Sequence, residues 1–362
     1  MKNRINVTKS LLPDREKFHA MVDRILDSGW LTNRGQCVRE LESRLADYLG
    51  VRNVVLTANA TLALQVAYKA LGLKGEVITS PFSFIATASS VVWEGLDVVF
   101  ADIDRSSWDI NPREIKAKIT SRTSAIVPVH VFGNPCDVEA IEAIAGKHNL
   151  SVIYDAAHAF GVRYKGESIL NRGDISILSF HATKLFHTIE GGALIINNDG
   201  LCKKVRQMIN FGITGPESIE CLGINAKMNE FQAAMGLCLL DEMEGVIVRR
   251  HQLTTLYDSV LDSSVIKQRW LEHATCNYGY YPVLFESETV AKSVQEALNT
   301  QDIFPRRYFY PSLDSLPFIA EHQKCVVSRD IASRILCLPL YPEMDNDVCV
   351  RVSGIIRSAV GD

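Results

Sequence analysis

A lysine and an aspartate, each closing an apolar run, are the residues of this chain best placed to do chemistry. Lys184 follows Ser179-Phe180-His181-Ala182-Thr183, just past the apolar run Ile175-Ser176-Ile177-Leu178, and Glu190-Gly191-Gly192 comes soon after. Asp155 lies upstream, at the end of Ser151-Val152-Ile153-Tyr154, and leads into Ala156-Ala157-His158. A lysine at the mouth of a sheet can be buried enough to lose its proton and attack a carbonyl. An aspartate at the same level can pair with a protonated ring nitrogen. These are the two demands of pyridoxal phosphate, which needs a lysine for its Schiff base and a carboxylate for its pyridinium nitrogen. Taken singly, a lysine after a strand is usually a solvated loop residue, and an aspartate there a turn former or helix cap. Their shared position at strand ends, with a phosphate-type loop further upstream, favours the chemical reading.

That loop is Thr57-Ala58-Asn59-Ala60-Thr61-Leu62. Small residues where a strand turns into a helix let backbone N–H groups converge on a phosphate, and the helix N-terminus favours its charge. Thr61 can add a hydroxyl; the competing reading is that Asn59 or Thr61 only caps the helix. Of the two phenylalanines in Pro81-Phe82-Ser83-Phe84, Phe84 is the candidate to lie on a pyridine ring, against core packing for either. His158, three residues after Asp155, can reach the cofactor's phenolate oxygen or stack on the ring, or be an ordinary polar group at a helix start. Neither G-x-G-x-x-G nor G-x-x-x-x-G-K-[ST] occurs, so dinucleotide and P-loop readings lose their main support.

The elements that must position these residues alternate. Apolar runs at 54–57, 77–80, 98–102, 125–130, 152–155, 175–180 and 193–196 read as seven strands, most of them apolar on both faces. Helical patterns such as 62–71 and 138–148 lie between them. Alternating β and α elements predict a mainly parallel sheet between helices, an α/β fold with ligands at the carboxyl ends of the strands. Residues 16–50 read as a helical N-terminal segment, and 229–240 and 242–261 as a long helical connection. Beyond 262, strand signals (278–285) mix with helices (289–299, 330–335). Two domains are expected: 1–245, a large cofactor-binding domain with the N-terminal helical segment, and 246–362, a smaller α/β domain.

Charge and cysteines narrow the setting. A net charge of −4 offers no electrostatic reason to expect nucleic acid or an anionic membrane as partner. Nine cysteines, an odd number without C-x-x-C spacing, argue against a zinc ribbon or a disulfide framework and for a reducing cytoplasm. The N-terminal stretch Met1-Lys2-Asn3-Arg4-Ile5-Asn6 has no apolar h-region, and no run of about 18 apolar residues occurs. A soluble cytoplasmic protein without a metal site is expected.

Taken in order along nearly the whole chain, several motifs resemble the DegT/DnrJ/EryC1/StrS aminotransferases of nucleotide-sugar metabolism. They are Ser28-Gly29-Trp30-Leu31-Thr32, Leu41-Glu42, Pro81-Phe82-Ser83-Phe84-Ile85-Ala86-Thr87, and Asp155-Ala156-Ala157-His158-Ala159-Phe160-Gly161. The series continues with Ser179-Phe180-His181-Ala182-Thr183-Lys184, Gly223-Ile224-Asn225-Ala226-Lys227-Met228-Asn229-Glu230 and Arg306-Arg307-Tyr308-Phe309-Tyr310-Pro311. The resemblance implies a fold-type-I pyridoxal phosphate enzyme, aspartate aminotransferase-like. It makes Lys184 the Schiff-base lysine and Asp155 the pyridinium partner, with His158 near the phenolate. Ala60, Thr61 and Ser179 would hold the phosphate and Phe84 would stack on the ring. Asn225 would reach the phosphate of the neighbouring subunit's cofactor, so a homodimer with shared active sites is implied. Two positions depart from the pattern: Asn59-Ala60-Thr61 stands where Ser-Gly-Thr is commoner, and Ala226-Lys227 replaces a frequent aromatic-Arg pair.

The implied activity is transamination of a nucleotide-linked keto sugar with L-glutamate as donor, pyridoxamine phosphate being the form of the cofactor between the two halves. The Ser-Phe-His-x-x-Lys…Glu-Gly-Gly form resembles members acting on a 4-keto-6-deoxy sugar. A dTDP-4-keto-6-deoxy-D-glucose type of substrate is therefore expected, giving a 4-amino-4,6-dideoxy sugar for O-antigen or other surface polysaccharide. Amination at C3 is the alternative. A sugar dehydratase of this fold usually has His at the lysine position, and a non-catalytic relative should lack Lys184 or Asp155.

Overall fold

The computed structural model describes residues 4–261, 265–319 and 323–361; Met1, Lys2 and Asn3 of the N-terminal stretch lie outside the described residues. Seven strands form the central sheet: β1 (Val54–Thr57), β2 (Glu76–Thr79), β3 (Asp97–Phe100), β4 (Thr123–Val127), β5 (Ser151–Asp155), β6 (Ile175–Ser179) and β7 (Gly192–Ile195). All seven expected runs are strands, with ends that differ by at most three residues and the first run matching its strand at both ends. Their spatial order is β1-β7-β6-β5-β4-β2-β3. β7 is antiparallel to both its neighbours, while the β6–β5–β4–β2–β3 pairings are parallel.

Successive residues on a strand face opposite sides, and here both sides are apolar. Leu56, Ile78, Leu178 and Ile195 belong to one core, beneath helices Gln36–Leu49 and Glu230–Leu240. Their neighbours Val55, Val77, Ile177 and Leu194 belong to the other, beneath helices Ala60–Ala70, Ala86–Trp93 and Asp199–Met208. Each such side chain contributes about 1.5–3 kcal/mol on burial. Asn59, Asp137, Asn198 and Asn229 cap the following helices through side-chain oxygens, and Asn229 forms a capping box with Gln232.

Helix Met243–Val260 starts in the first of these cores, through Met243 and Val246, and ends in a further one, through Leu253 and Tyr257. That further core gathers Val283, Val294, Leu336, Val352 and Ile356, and also Ile5, whose strand Ile5–Asn6 pairs in parallel with Ile303–Phe304. The strand expected at 278–285 is limited to Pro282–Leu284, which pairs with Ile335–Cys337. Its start fails for a physical reason: Tyr278 has φ +54°, outside the β region. The buried Asn277 side chain also donates to the carbonyls of His158 (2.8 Å) and Phe160 (3.0 Å), pinning the segment to the loop that follows β5 rather than to a partner strand. Among the described residues, no helix is long and apolar enough to cross a membrane.

Candidate active site

A cleft of about 670 Å³ opens at the carboxyl end of the sheet. It is lined by seven of the eight residues expected from sequence: Ala60, Thr61, Phe84, Asp155, His158, Ser179 and Lys184. Asn225 does not line it; that residue is exposed on its own chain, held in a bridge with Asn210.

Beyond β1 the chain turns at Asn59, whose side chain accepts from the Leu62 amide (2.9 Å), into helix Ala60–Ala70. Ala60 and Thr61, whose amides at the helix start have no helical acceptors, line the cleft, and Thr61 is exposed. The start of β7 lies hard against this turn. A Cβ on Gly192 would stand 2.6 Å from the Ala60 nitrogen, so only glycine permits the approach.

Asp155 ends β5, buried. Its Oδ2 accepts from the Thr87 hydroxyl (2.7 Å), which in turn meets the Ser83 hydroxyl (2.8 Å), and its Oδ1 accepts from the Ala157 amide (3.2 Å). Burial raises the carboxyl above its ordinary range, opposed by the hydrogen bonds from Thr87 and Ala157 and by the charge of Lys184. Lys184 follows β6 through a turn closed by its own amide to the His181 carbonyl (2.9 Å). Its Nζ donates to the Tyr280 hydroxyl at 3.3 Å. Burial pushes the ammonium down to about 8, with Asp155 pulling the other way, so a useful fraction is free amine near neutral pH.

His158 is buried and neutral, its pKa lowered by burial and then by Lys184. Its Nδ1 accepts from the Phe132 amide (3.2 Å), which places the ring proton on Nε2. Its ring lies parallel to Phe309 at 5.6 Å. The two phenylalanines of the Pro81–Phe84 stretch divide sharply. Phe82 is fully buried and packs edge-on against Phe132 and Phe309, whereas Phe84 is 52% exposed on the cleft. Lys227, at one of the atypical positions, is half-buried: its Nζ donates to Asn210 (2.8 Å) and lies over the exposed Phe211 ring.

Sequence reasoning assigned no role to Thr87, Tyr280, Arg306, Tyr308 or Phe309, all of which line the cleft. Thr87, Arg306, Tyr308 and Phe309 stand inside the motifs that carry the family resemblance, and that membership is the signal available for them. Tyr280 lies in none of those motifs.

Known proteins resemble this chain over almost its whole length. The DegT/DnrJ/EryC1/StrS aminotransferase family model matches residues 13–357. A dTDP-4-amino-4,6-dideoxy-D-glucose transaminase from Shigella dysenteriae is 42% identical, over 99% of both chains. One of the same description from Escherichia coli is 36% identical over 97% of this chain and 98% of its own. The crystal structure of DesI determined in the presence of its TDP-sugar product superposes with a TM-score of 0.95 at 35% identity, covering 99% of this chain and 94% of that one. With the match running almost end to end and the strand-end lysine and aspartate in one cleft, this chain belongs to the DegT/DnrJ/EryC1/StrS aminotransferase family.

Proposed function

We propose that this aminotransferase holds pyridoxal 5′-phosphate in the cleft and converts a nucleotide-linked 4-keto-6-deoxy sugar, of the dTDP-4-keto-6-deoxy-D-glucose type, to the 4-amino-4,6-dideoxy sugar with L-glutamate as donor. The observation that carries this reading is the placing of Lys184 and Asp155 in one cleft with the start of helix Ala60–Ala70. The sugar follows from the two full-length relatives described as dTDP-4-amino-4,6-dideoxy-D-glucose transaminases.

The donor set fits the cofactor. The helix start, with Gly192 pressed behind it, offers amides and the Thr61 hydroxyl to a phosphate, and Ser179 a second hydroxyl. Asp155, costly to ionise in a buried site, gains a partner in a protonated ring nitrogen. Phe84 offers an exposed ring face. Bound there, the cofactor supplies an electron-withdrawing ring that lets a carbon beside the amino nitrogen lose and regain a proton. Lys184 would hold the cofactor covalently, and its amine, placed in the cleft, would serve as the base and acid that moves the proton during amino transfer. Thr87 and the Ala157 amide hold Asp155 in line, and the His158 Nε2 proton is left to donate into the cleft.

We further read the active unit as a homodimer in which Asn225 serves the partner's phosphate. Asn225 lies outside its own cleft, and the neighbouring apolar side chains Phe211, Ile213, Ile219, Leu222 and Ile224 are exposed. The nine free thiols fit a cytoplasmic enzyme of surface-polysaccharide synthesis. Incubation with pyridoxal phosphate, glutamate and a panel of nucleotide-linked keto sugars tests the assignment. NMR of the product should place the new amine at C4 of the 6-deoxy sugar; an amine at C3, or no product from any 4-keto sugar, overturns it.

A further inference from the structure

Lys184 is held at its tip by a residue from outside the sheet. Its Nζ donates to the Tyr280 hydroxyl (3.3 Å), a contact across 96 residues of sequence. Tyr280 is itself held on several sides. Its ring packs tilted on His158 at 4.7 Å and on Phe132 at 5.6 Å, and edge-on to Tyr308 at 6.1 Å. Just before it, the buried Asn277 ties the backbone to the carbonyls of His158 and Phe160 and accepts from the Gly279 amide (3.1 Å). A long lysine side chain has many rotamers, and this clamp selects the one that reaches into the cleft.

We propose that Tyr280 is a positioning residue for the amino-transfer chemistry: its hydroxyl fixes the Lys184 amine over the cleft and steadies its protonated form. The inference rests on the reading of Lys184 as the covalent lysine. Burial holds the Tyr280 phenol above its ordinary range, so it stays neutral and offers Lys184 an oxygen acceptor rather than a second charge. The other groups that bear on the pair are Asp155 and His158 on the strand side, His181 and Glu190 on the lysine's own loop, and Arg250, Arg306, Tyr308 and Cys337 around Tyr280. None of them hydrogen-bonds the Lys184 amine, so the hydroxyl is the contact whose removal is informative.

The test is Tyr280→Phe, which keeps the ring contacts and deletes only the hydroxyl. Apoprotein is mixed with pyridoxal phosphate across a range of pH, and the rate of appearance of the visible band is followed. In the wild type that rate should titrate with a midpoint near 8. In the variant the midpoint should fall by about half a unit, because the ammonium loses an acceptor. Capture at neutral pH should then be no slower, while kcat falls about tenfold with KM little changed, the split expected of an amine that is free but badly aimed. A purely structural role would move melting temperature and leave the midpoint in place. Coincident midpoints, or an unchanged kcat, overturn the inference. Failure of the wild-type apoprotein to capture the cofactor overturns instead the reading of the cleft on which it rests.

Discussion

The cleft has two walls of different origin, and the contrast says how the site is made. One wall is the row of strand ends that bears the helix start at Ala60, Asp155, Ser179 and Lys184. Several of its groups are held by hydrogen bonds within their own strand–loop units, as in the Asn59 cap, the Ala157 amide to Asp155 and the Lys184 amide to His181, while Asp155 also accepts from Thr87 of the neighbouring unit. The facing wall comes from residues 280–309 and is mostly rings, Tyr280, Tyr308 and Phe309, with Arg306 over Tyr308 at 4.8 Å. Those rings reach the first wall through stacked and tilted contacts with His158 and Phe132. Fixed polar groups suit a cofactor that stays; a ring-lined surface suits successive substrates of different shape. The strand-end wall should therefore govern whether chemistry occurs, and the facing wall how well it is aimed.

The sharpest break of that division is Lys184→Ala. The protein should keep its fold and bind cofactor, yet form no borohydride-reducible adduct and lose at least about a thousandfold in turnover, within the range of a proton-transferring group. An adduct surviving in the variant sinks the assignment. The same variant tests the shared site. Co-refolding with Asn225→Asp, whose added charge opposes the phosphate, makes half the dimers mixed, and about a quarter of all sites then carry neither change. A mixture no more active than the mean of the two variants refolded alone means Asn225 serves its own subunit.

Asp155→Asn comes next. The amide cannot hold the ring proton as a carboxylate does, so kcat should fall by about a hundredfold, in the range for losing one preorganised electrostatic partner. Near-normal kcat would assign the ring nitrogen another partner. A smaller effect belongs to Thr87→Val, which removes the 2.7 Å hydrogen bond to Asp155 but keeps shape. A bond to a charged acceptor is worth about 1.5–3 kcal/mol, so a drop of about ten- to a hundredfold in kcat is expected. Loss greater than that of Asp155→Asn would mean that Thr87 acts other than through Asp155. Both changes lie on the strand-end wall, and each should cost kcat rather than KM.

Legibility followed the same division. All seven strands were readable, because strands of a sheet covered by helices on both faces are near-continuous apolar runs. Phe84 could be separated from Phe82 only as a choice, since two aromatics two residues apart on one stretch have the same chemistry; one is fully buried and the other lies on the cleft. Thr87 was passed over because a hydroxyl on the apolar helix Ala86–Trp93 gives no local sign that it faces a carboxylate 68 residues away. The strand expected from 278 was shortened by the positive φ of Tyr278 and by the Asn277 clamp, both set by tertiary contacts.

From residues alone came the sheet, the pairing of one lysine with one aspartate at its carboxyl edge, and the phosphate-type turn at Asn59-Ala60-Thr61. Alternation of apolar runs and the position of a residue at a strand's end are local facts, and parallel strands bring such ends together in space whatever follows. Only the tertiary structure decided which side chains close the cleft from the other side. Tyr280 meets Lys184 across 96 residues, and nothing in the spacing of either residue encodes that meeting. It arises because Asn277 finds its acceptors on the backbone of His158 and Phe160, and a buried amide must be satisfied wherever the fold supplies a partner.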